Sequence, residues 1–189
     1  MRVLIAEDEA LIRMDLREML EEEGHEVVGE ARDGAEAVRL ARATTPDVVF
    51  MDISMPGTDG IEAASVISRE SIAAVVMVTA FSQASLVEQA AQAGAMGYIV
   101  KPFSSTDVLP AMEVAVARFR QAAVLVKEVD DLNERLETRK ALDRAKGILM
   151  AGGLSEADAF RRLQRTAMDK RKTLREVADA VITASETLT

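Results

Sequence analysis

Three carboxylates stand directly behind two short apolar segments of the chain. Glu7 and Asp8 follow Val3–Ala6, and Asp52 follows Val48–Met51. If these segments are neighbouring strands of a parallel sheet, their carboxyl ends share one edge and the three side chains converge there. Two unit charges about 4 Å apart repel by about 4 kcal/mol at an effective dielectric of about 20, so the cluster requires a divalent cation or a proton. Oxygen ligands at an open edge favour Mg²⁺, with Mn²⁺ as the alternative.

A carboxylate beside Mg²⁺ can attack phosphorus and form an acyl phosphate, because phosphoryl transfer needs mainly positioning and charge neutralisation. Two further side chains follow later apolar segments and suit the same chemistry. The Thr79 hydroxyl can bond a phosphoryl oxygen, and the Lys101 ammonium can balance the added negative charge. The Lys101–Pro102 bond is a candidate cis peptide that would aim the lysine, although trans is the commoner isomer.

The elements that must position these groups alternate in type up to about residue 104. Helix-period segments separate five short apolar runs: Val3–Ala6, Val27–Gly29, Val48–Met51, Val75–Val78 and Gly97–Val100. This alternation predicts an α/β fold, a doubly wound five-stranded parallel sheet covered by helices on both faces. The strand order 2-1-3-4-5 would make strands one and three neighbours at the switch point where ligands bind.

Beyond Phe103 the pattern is helical throughout. Apolar residues recur every three or four positions from Met112 to Leu136, which predicts a long connecting helix over 108–136. Its seam could pair helices between protomers or pack on its own domain, and Pro110 leaves the start of the helix open. After Gly152-Gly153 the predicted elements are a helix capped by Ser155 and Asp158 and ending near Met168, a turn over 169–173, and a last helix from Leu174. These elements form a small three-helix domain fed by the long helix.

The composition excludes several classes of site. The chain has 189 residues, no cysteine and one histidine, which excludes disulfides, thiolate catalysis and multi-histidine metal sites. The longest apolar run, Ile72–Phe81, is half of what a membrane span needs, and Val3–Ala6 is too short for a signal-peptide core, so a cytoplasmic protein without a membrane partner is expected. The net charge of −9 divides into −12 over residues 1–132 and +3 over 133–189. A basic tail on an acidic front half suggests two tasks, with polyanion binding at the C-terminal end.

Five elements in register make the front half resemble a known family. It resembles, over roughly residues 1–120, the flavodoxin-like receiver domain of two-component response regulators. The resemblance rests on Glu7-Asp8, Met51-Asp52-Ile53, Met55-Pro56 with Asp59-Gly60, Thr79-Ala80 and Lys101-Pro102-Phe103.

The receiver resemblance implies a role for each residue of the set. Asp52 would accept a phosphoryl group from a sensor histidine kinase, and Mg²⁺ would be held by Glu7, Asp8, Asp52 and the backbone carbonyl of Ser54. Thr79 and Lys101 would contact the phosphoryl group. Tyr98, three residues before Lys101, matches the switch aromatic that turns inward when Thr79 moves onto the phosphate, although its position is equally compatible with plain packing.

Basic residues crowd two stretches of the tail, 135–146 and 161–175. Lys140, Arg144 and Gly147 share one face of a predicted helix, and Arg161 and Arg165 share another. Such patches can neutralise phosphates, although they can equally form a solvated surface. Phe160 is the one aromatic residue after Phe119 and falls on an apolar helix face. This scarcity disfavours a stacking platform for single strands and favours a folded hairpin with a few splayed loop bases.

The tail resembles the ANTAR domain, the RNA-binding output module of antitermination regulators, over about residues 128–189. The resemblance is carried by Arg144-Ala145-Lys146-Gly147-Ile148-Leu149-Met150, Ser155-Glu156, Ala159-Phe160, Leu163, Ala167, Leu174 and Val177-Ala178. It implies binding of paired hairpins in nascent transcripts, which prevents a terminator from forming. Face and charge select as candidate RNA contacts Lys140, Arg144, Lys146, Gly147, Arg165 and Arg171. Helix packing is the alternative explanation for Gly147.

The two resemblances together predict a regulator in which phosphorylation controls RNA binding, by dimerisation of the chain or by release of the tail. No nucleophile and base pair follows residue 120, so an enzymatic output is not expected. Two alternatives stay open at this point. A DNA-binding output would need a recognition helix for the major groove, and a helical bundle could instead serve protein interaction or dimerisation.

Overall fold

The computed structural model describes residues 1–80 and 84–186. They fall into two compact units that divide between Val124 and Leu125. The first unit begins with nine alternating elements: β1 (Arg2–Ala6), α1 (Ala10–Glu22), β2 (Glu26–Ala31), α2 (Gly34–Thr44), β3 (Val48–Asp52), α3 (Gly60–Arg69), β4 (Ala74–Thr79), α4 (Ala84–Gln92) and β5 (Gly97–Val100). Three helices follow: α5 (Ser105–Ala151), α6 (Glu156–Lys170) and α7 (Leu174–Glu186).

The five strands form one parallel sheet in the order β2-β1-β3-β4-β5, which confirms the predicted fold class and strand order. All five residues of β3 and all six of β4 are buried, because helices cover both faces of the sheet. Successive residues of β3 therefore point into two different cores. Val49 and Met51 pack with α2 and α3, whereas Phe50 packs with α1 and with the beginning of α5.

Helix α5 is longer than the connecting helix predicted over 108–136. It begins directly after Ser104, whose N–H donates to Asp107 Oδ2 at 2.9 Å, and it accommodates Pro110 in its second turn. It continues without a break to Ala151, so the whole helix is 47 residues long. The predicted connecting helix and the first helix of the tail are one element, since no residue between them interrupts the helical hydrogen bonds.

The apolar seam of α5 is buried in its first part and exposed in its later part. Met112 and Val116 are buried in the core of the first unit. The later seam residues, which lie in the second unit, are each at least half exposed: Val126, Val129, Leu132 and Leu136. Packing of the helix on its own domain therefore explains the buried first part of the seam but not the exposed later part.

The second unit is a three-helix arrangement of the last part of α5 with α6 and α7. Its core contains Ala145 from α5, Leu163 from α6 and Ala178 from α7. The predicted cap of α6 is present, with the Asp158 N–H donating to Ser155 Oγ at 3.2 Å. Helix α6 runs to Lys170, two residues further than predicted.

Within the described ranges, no helix combines the length and the apolar character that crossing a bilayer requires.

Candidate functional site

The three predicted acids meet at the carboxyl edge of the sheet. Strands β1 and β3 pair directly, with Ala6 opposite Met51, so the residues that follow each strand become neighbours. Carboxylate oxygens of Glu7, Asp8 and Asp52, one from each, lie within 4.8 Å of one another. Glu7 and Asp52 are buried, and Asp8 is exposed. The arrangement is a pocket of negative charge that is open on one side.

Lys101 joins this pocket from the end of β5. Its Nζ lies 2.6 Å from Glu7 Oε2 and 3.1 Å from Asp52 Oδ1, with Glu9 Oε1 further away at 3.9 Å. The ammonium thus bridges the two buried carboxylates. The Lys101–Pro102 peptide bond is cis, the isomer that the sequence offered as a candidate.

Burial and charge shift the proton affinities of this pocket. Burial raises the pKa of the Glu7 carboxyl, and the nearby Asp52 charge adds to the rise, which contact with Lys101 only partly offsets. Burial opposes the charged form of Lys101, yet its contacts with Glu7 and Asp52 outweigh burial and raise its pKa. The lysine is therefore an ammonium at neutral pH. Three carboxylates share this one ammonium, so the pocket favours binding of a second cation.

Thr79 and Tyr98 lie on β4 and β5, on the side of β3 opposite β1. Thr79 ends β4 and is buried, and its backbone carbonyl accepts from the Lys101 N–H at 2.8 Å. Tyr98 lies on β5 and is half exposed. In this structure the side chain of Tyr98 lies at the surface. It is neither turned inward, as a switch aromatic would be after activation, nor fully packed. Ser54 lies two residues beyond Asp52, in the loop that follows β3.

The loop after Asp52 returns close to the strand that it leaves. The Ile61 N–H donates to Asp59 Oδ1 at 2.7 Å and caps α3, while the Gly60 N–H donates to the Ile53 carbonyl at 3.2 Å. A Cβ placed on Gly60 would lie 1.9 Å from the Asp52 carbonyl oxygen. Only glycine fits there, so Gly60 lets α3 begin directly against the strand end that carries Asp52.

Sequence reasoning missed Arg13, a buried arginine on α1. Its guanidinium donates to the Glu7 carbonyl at 2.7 Å and more loosely to the Asp8 carbonyl at 3.4 Å. It also pairs with Glu30 Oε2 on β2 at 2.9 Å. These contacts hold the loop that presents two of the acids. Its position in the sequence could have indicated that it is buried. Arg13 lies at helical spacing before Leu16 and Leu20, on the same inward face of α1.

In the second unit, the predicted RNA contacts on α5 are partly engaged with acids. Lys140 Nζ lies 2.9 Å from Glu137, and an Arg144 guanidinium nitrogen lies 2.7 Å from Glu186. Lys146 is the most enclosed of the set, with Nζ 2.9 Å from Asp143 and 3.0 Å from Glu156. The hydrogen bonds to Asp143 and Glu156 raise the pKa of Lys146.

The remaining candidates are an exposed glycine on α5 and two arginines at α6. Gly147 is exposed, and a Cβ built on it meets no atom within 4 Å. Packing within the chain therefore gives no reason for a glycine at this helical position. Arg165 is exposed on α6, and Arg171 ends that helix in a left-handed conformation with φ of 51°. The structure thus distributes the six candidates over α5, α6 and the residue that follows α6.

Comparison with known proteins bears on both units. The family model of the response regulator receiver domain matches residues 3–113, and that of the ANTAR domain matches residues 130–182. The transcriptional regulatory protein PdtaR of Mycobacterium tuberculosis is 60% identical over 182 residues, which are 96% of this chain and 89% of PdtaR. This chain is a response regulator with a receiver domain and an ANTAR domain. Both family models describe regulatory modules rather than enzymes.

Other relatives of this response regulator match its receiver domain. The chemotaxis protein CheY of Bacillus subtilis is 45% identical over 112 residues, covering 59% of this chain and 93% of CheY. The receiver domain of the putative regulator NarL from Mycobacterium tuberculosis superposes with a TM-score of 0.59 at 34% identity, covering 61% of this chain and 95% of that one. A CheX–CheY complex from Borrelia burgdorferi, solved with BeF₃ and Mg²⁺, matches at 33% identity with a TM-score of 0.56, over 58% of this chain and 84% of the other.

Receiver domains bind Mg²⁺ at an acidic pocket, and the acids of this response regulator fit that ion. Glu7, Asp8 and Asp52 offer carboxylate oxygens alone, the hard ligands that Mg²⁺ takes in proteins. Because Asp8 is exposed, the pocket is open to the waters that Mg²⁺ keeps.

Proposed function

We propose that this response regulator takes a phosphoryl group on Asp52 from a sensor histidine kinase and, in that state, binds paired RNA hairpins in nascent transcripts to prevent termination. The observation that carries the proposal is the meeting of Asp52 with Glu7, Asp8 and Lys101 at one sheet edge, in a chain whose other half is an ANTAR domain.

The chain's own groups suit each part of the phosphoryl transfer. A carboxylate oxygen of Asp52 forms the new bond to phosphorus as the bond between phosphorus and the kinase's histidine nitrogen breaks. Lys101, already 3.1 Å from Asp52, remains beside the added negative charge. Mg²⁺ held by Glu7, Asp8, Asp52 and the Ser54 carbonyl would neutralise charge on the phosphoryl oxygens. Thr79 supplies a hydroxyl at the end of the adjacent strand.

Phosphorylation then shifts the receiver between two states. Movement of Thr79 toward the phosphoryl group vacates space into which Tyr98, half exposed here, can turn. That movement changes the surface formed by α4, β5 and α5, which favours dimerisation or frees the tail. The exposed seam of Val126, Val129, Leu132 and Leu136 supports a second copy of this chain as the partner. Dimerisation would place two ANTAR domains side by side and raise the apparent affinity for a two-hairpin RNA.

The decisive experiment measures phosphorylation and RNA binding on the full chain. Mass spectrometry after incubation with acetyl phosphate and Mg²⁺ should place one phosphate on Asp52. Beryllofluoride with Mg²⁺ should strengthen binding of a two-hairpin RNA, and duplex DNA of equal length should bind less well. Asp52→Asn that binds this RNA as tightly as the phosphorylated wild type would exclude phosphorylation as the control. Tighter binding of duplex DNA would favour a DNA-binding output instead.

A further inference from the structure

A groove in the second unit runs between α5 and α6 and is lined by both charged and apolar groups. It encloses about 500 Å³, a volume within the usual range of ligand sites. Phe160 from α6 and Leu142 from α5 form its apolar part, and Phe160 is 37% exposed. The expectation that Phe160 belongs to the apolar helix face is therefore only partly correct, since its ring reaches the surface beside α5.

Lys146 forms one wall of the groove rather than a free cation. It lines this groove and also a second depression beside it, together with Glu156, Ala157 and Phe160. Asp143 and Glu156 hold its ammonium at 2.9 and 3.0 Å, so its charge is already compensated within the chain. Lys146 and Phe160 line the groove from α5 and from α6.

Two arginines approach the groove along α5. Arg135, Arg139, Leu142 and Lys146 follow one another at spacings of four, three and four, which places them in one row on the helix. Arg139 is 83% exposed at its side chain and lies 4.0 Å from Asp143. Within the described part of the chain, Arg135 forms no ion pair at all. Both arginines are exposed, and the contact of Arg139 with Asp143 is long, so they are more accessible to a polyanion than Lys146 is.

We propose that this groove binds one unpaired loop base of the RNA, stacked on Phe160, while Arg135 and Arg139 contact the flanking phosphates. The inference rests on the proposed RNA-binding function and names the part of the RNA that this surface reads. Stacking on an aromatic ring with hydrogen bonds to the base edge is how proteins read single bases in RNA loops. Arginine, rather than an acid-held lysine, provides the phosphate contact.

The test uses the full chain with beryllofluoride and Mg²⁺, and two-hairpin RNAs selected from a pool with randomised loops. Phe160→Leu keeps the apolar volume and removes the ring face, so its affinity should fall about 5- to 150-fold, the value of one stacked base. Arg135→Gln should weaken all loop sequences alike and reduce the salt dependence of binding by about one phosphate. Met168→Leu, an exposed change on the same helix, should leave affinity unchanged.

Photocrosslinking of the wild type provides a readout that does not depend on how a variant folds. Ultraviolet light should attach the RNA to the tryptic peptide 147–161, which contains Phe160. If the wild type binds no hairpin RNA in either phosphorylation state, the proposed function itself fails. If it binds while Phe160→Leu binds equally well and crosslinks lie elsewhere, RNA binding stands and the base site is refuted.

Discussion

Replacing Gly147 by alanine should make the protein more stable and its RNA binding weaker. Gly147 lies four residues before α5 ends, on an exposed surface where an added Cβ meets nothing within 4 Å. The methyl group therefore causes no clash within the chain. Glycine in a helix interior costs about 0.8–1.0 kcal/mol relative to alanine, so the free energy of unfolding should rise by about 1 kcal/mol. For a domain of 60–100 residues this corresponds to a rise in Tm of roughly 4–8 °C.

RNA affinity should move in the opposite direction. Among the candidate RNA contacts, Gly147 shares one face of α5 with Lys140 and Arg144, and a residue without a side chain would let RNA approach the helix closely there. A methyl group at such a contact typically costs about 1–3 kcal/mol through overpacking, and a loss of about 1.4 kcal/mol is tenfold in Kd. We therefore expect affinity for a two-hairpin RNA to fall by about tenfold or more.

The assay pairs urea denaturation with RNA titration by fluorescence anisotropy, on the full chain treated with beryllofluoride and Mg²⁺. Thr183→Ala on α7 is the matched control, because it gains up to about 0.7 kcal/mol of helix propensity at an exposed position of another helix. It should raise stability and leave RNA affinity unchanged. A Gly147→Ala variant with higher stability and unaltered affinity would refute the placement of RNA on this face.

Three further predictions concern the receiver domain. Gly60→Ala should lower the free energy of unfolding by about 1–3 kcal/mol and slow acetyl phosphate labelling of Asp52, since the new Cβ lies 1.9 Å from the Asp52 carbonyl oxygen; normal stability in urea would contradict this. Arg13→Met should cost about 1–3 kcal/mol and weaken Mg²⁺ binding measured by calorimetry, because the Glu7 carbonyl and Glu30 lose a donor; Arg17→Met, which changes a solvent-exposed arginine, should leave Mg²⁺ binding intact. Because the pKa of Glu7 is raised, protons compete with Mg²⁺ at a higher pH than at an ordinary glutamate, so on acidification Mg²⁺ affinity should begin to decline earlier than at a site with an unshifted glutamate. In Glu7→Gln this decline should be smaller, and an equally steep decline would exclude Glu7 as its source.

The positions of the site residues along the chain could be predicted because they depend on local patterns. Runs of β-branched residues mark strands, and the acids, Thr79 and Lys101 each follow such a run. In a parallel sheet the carboxyl ends of strands share one edge, so strand order alone brings those residues together. The cap at Ser155 and Asp158 was predictable for the same reason, since both partners lie within one helical turn.

The boundary of the long helix could not be predicted from the same kind of pattern. The sequence between Leu136 and Ala151 contains no proline or glycine pair that would end a helix, yet the prediction ended the connecting helix at 136. The apolar seam ends at Leu136. The end of the seam was therefore interpreted as the end of the helix, although the helix itself continues. Helical hydrogen bonds need only favourable neighbours along the chain, whereas the seam reports what each turn packs against.

By itself, the sequence determined the order of strands and helices, the residues at the strand ends and the family of each half. Only the tertiary structure decided which charged side chains contact one another. Lys101 bridges Glu7 and Asp52, residues far apart in the chain, and Arg13 turns from an ordinary helix residue into the support of a loop. It also decided that Phe160 reaches the surface beside α5. The reason is physical: hydrogen bonding within elements depends on near neighbours, whereas burial and ion pairing depend on which surfaces meet when the elements pack.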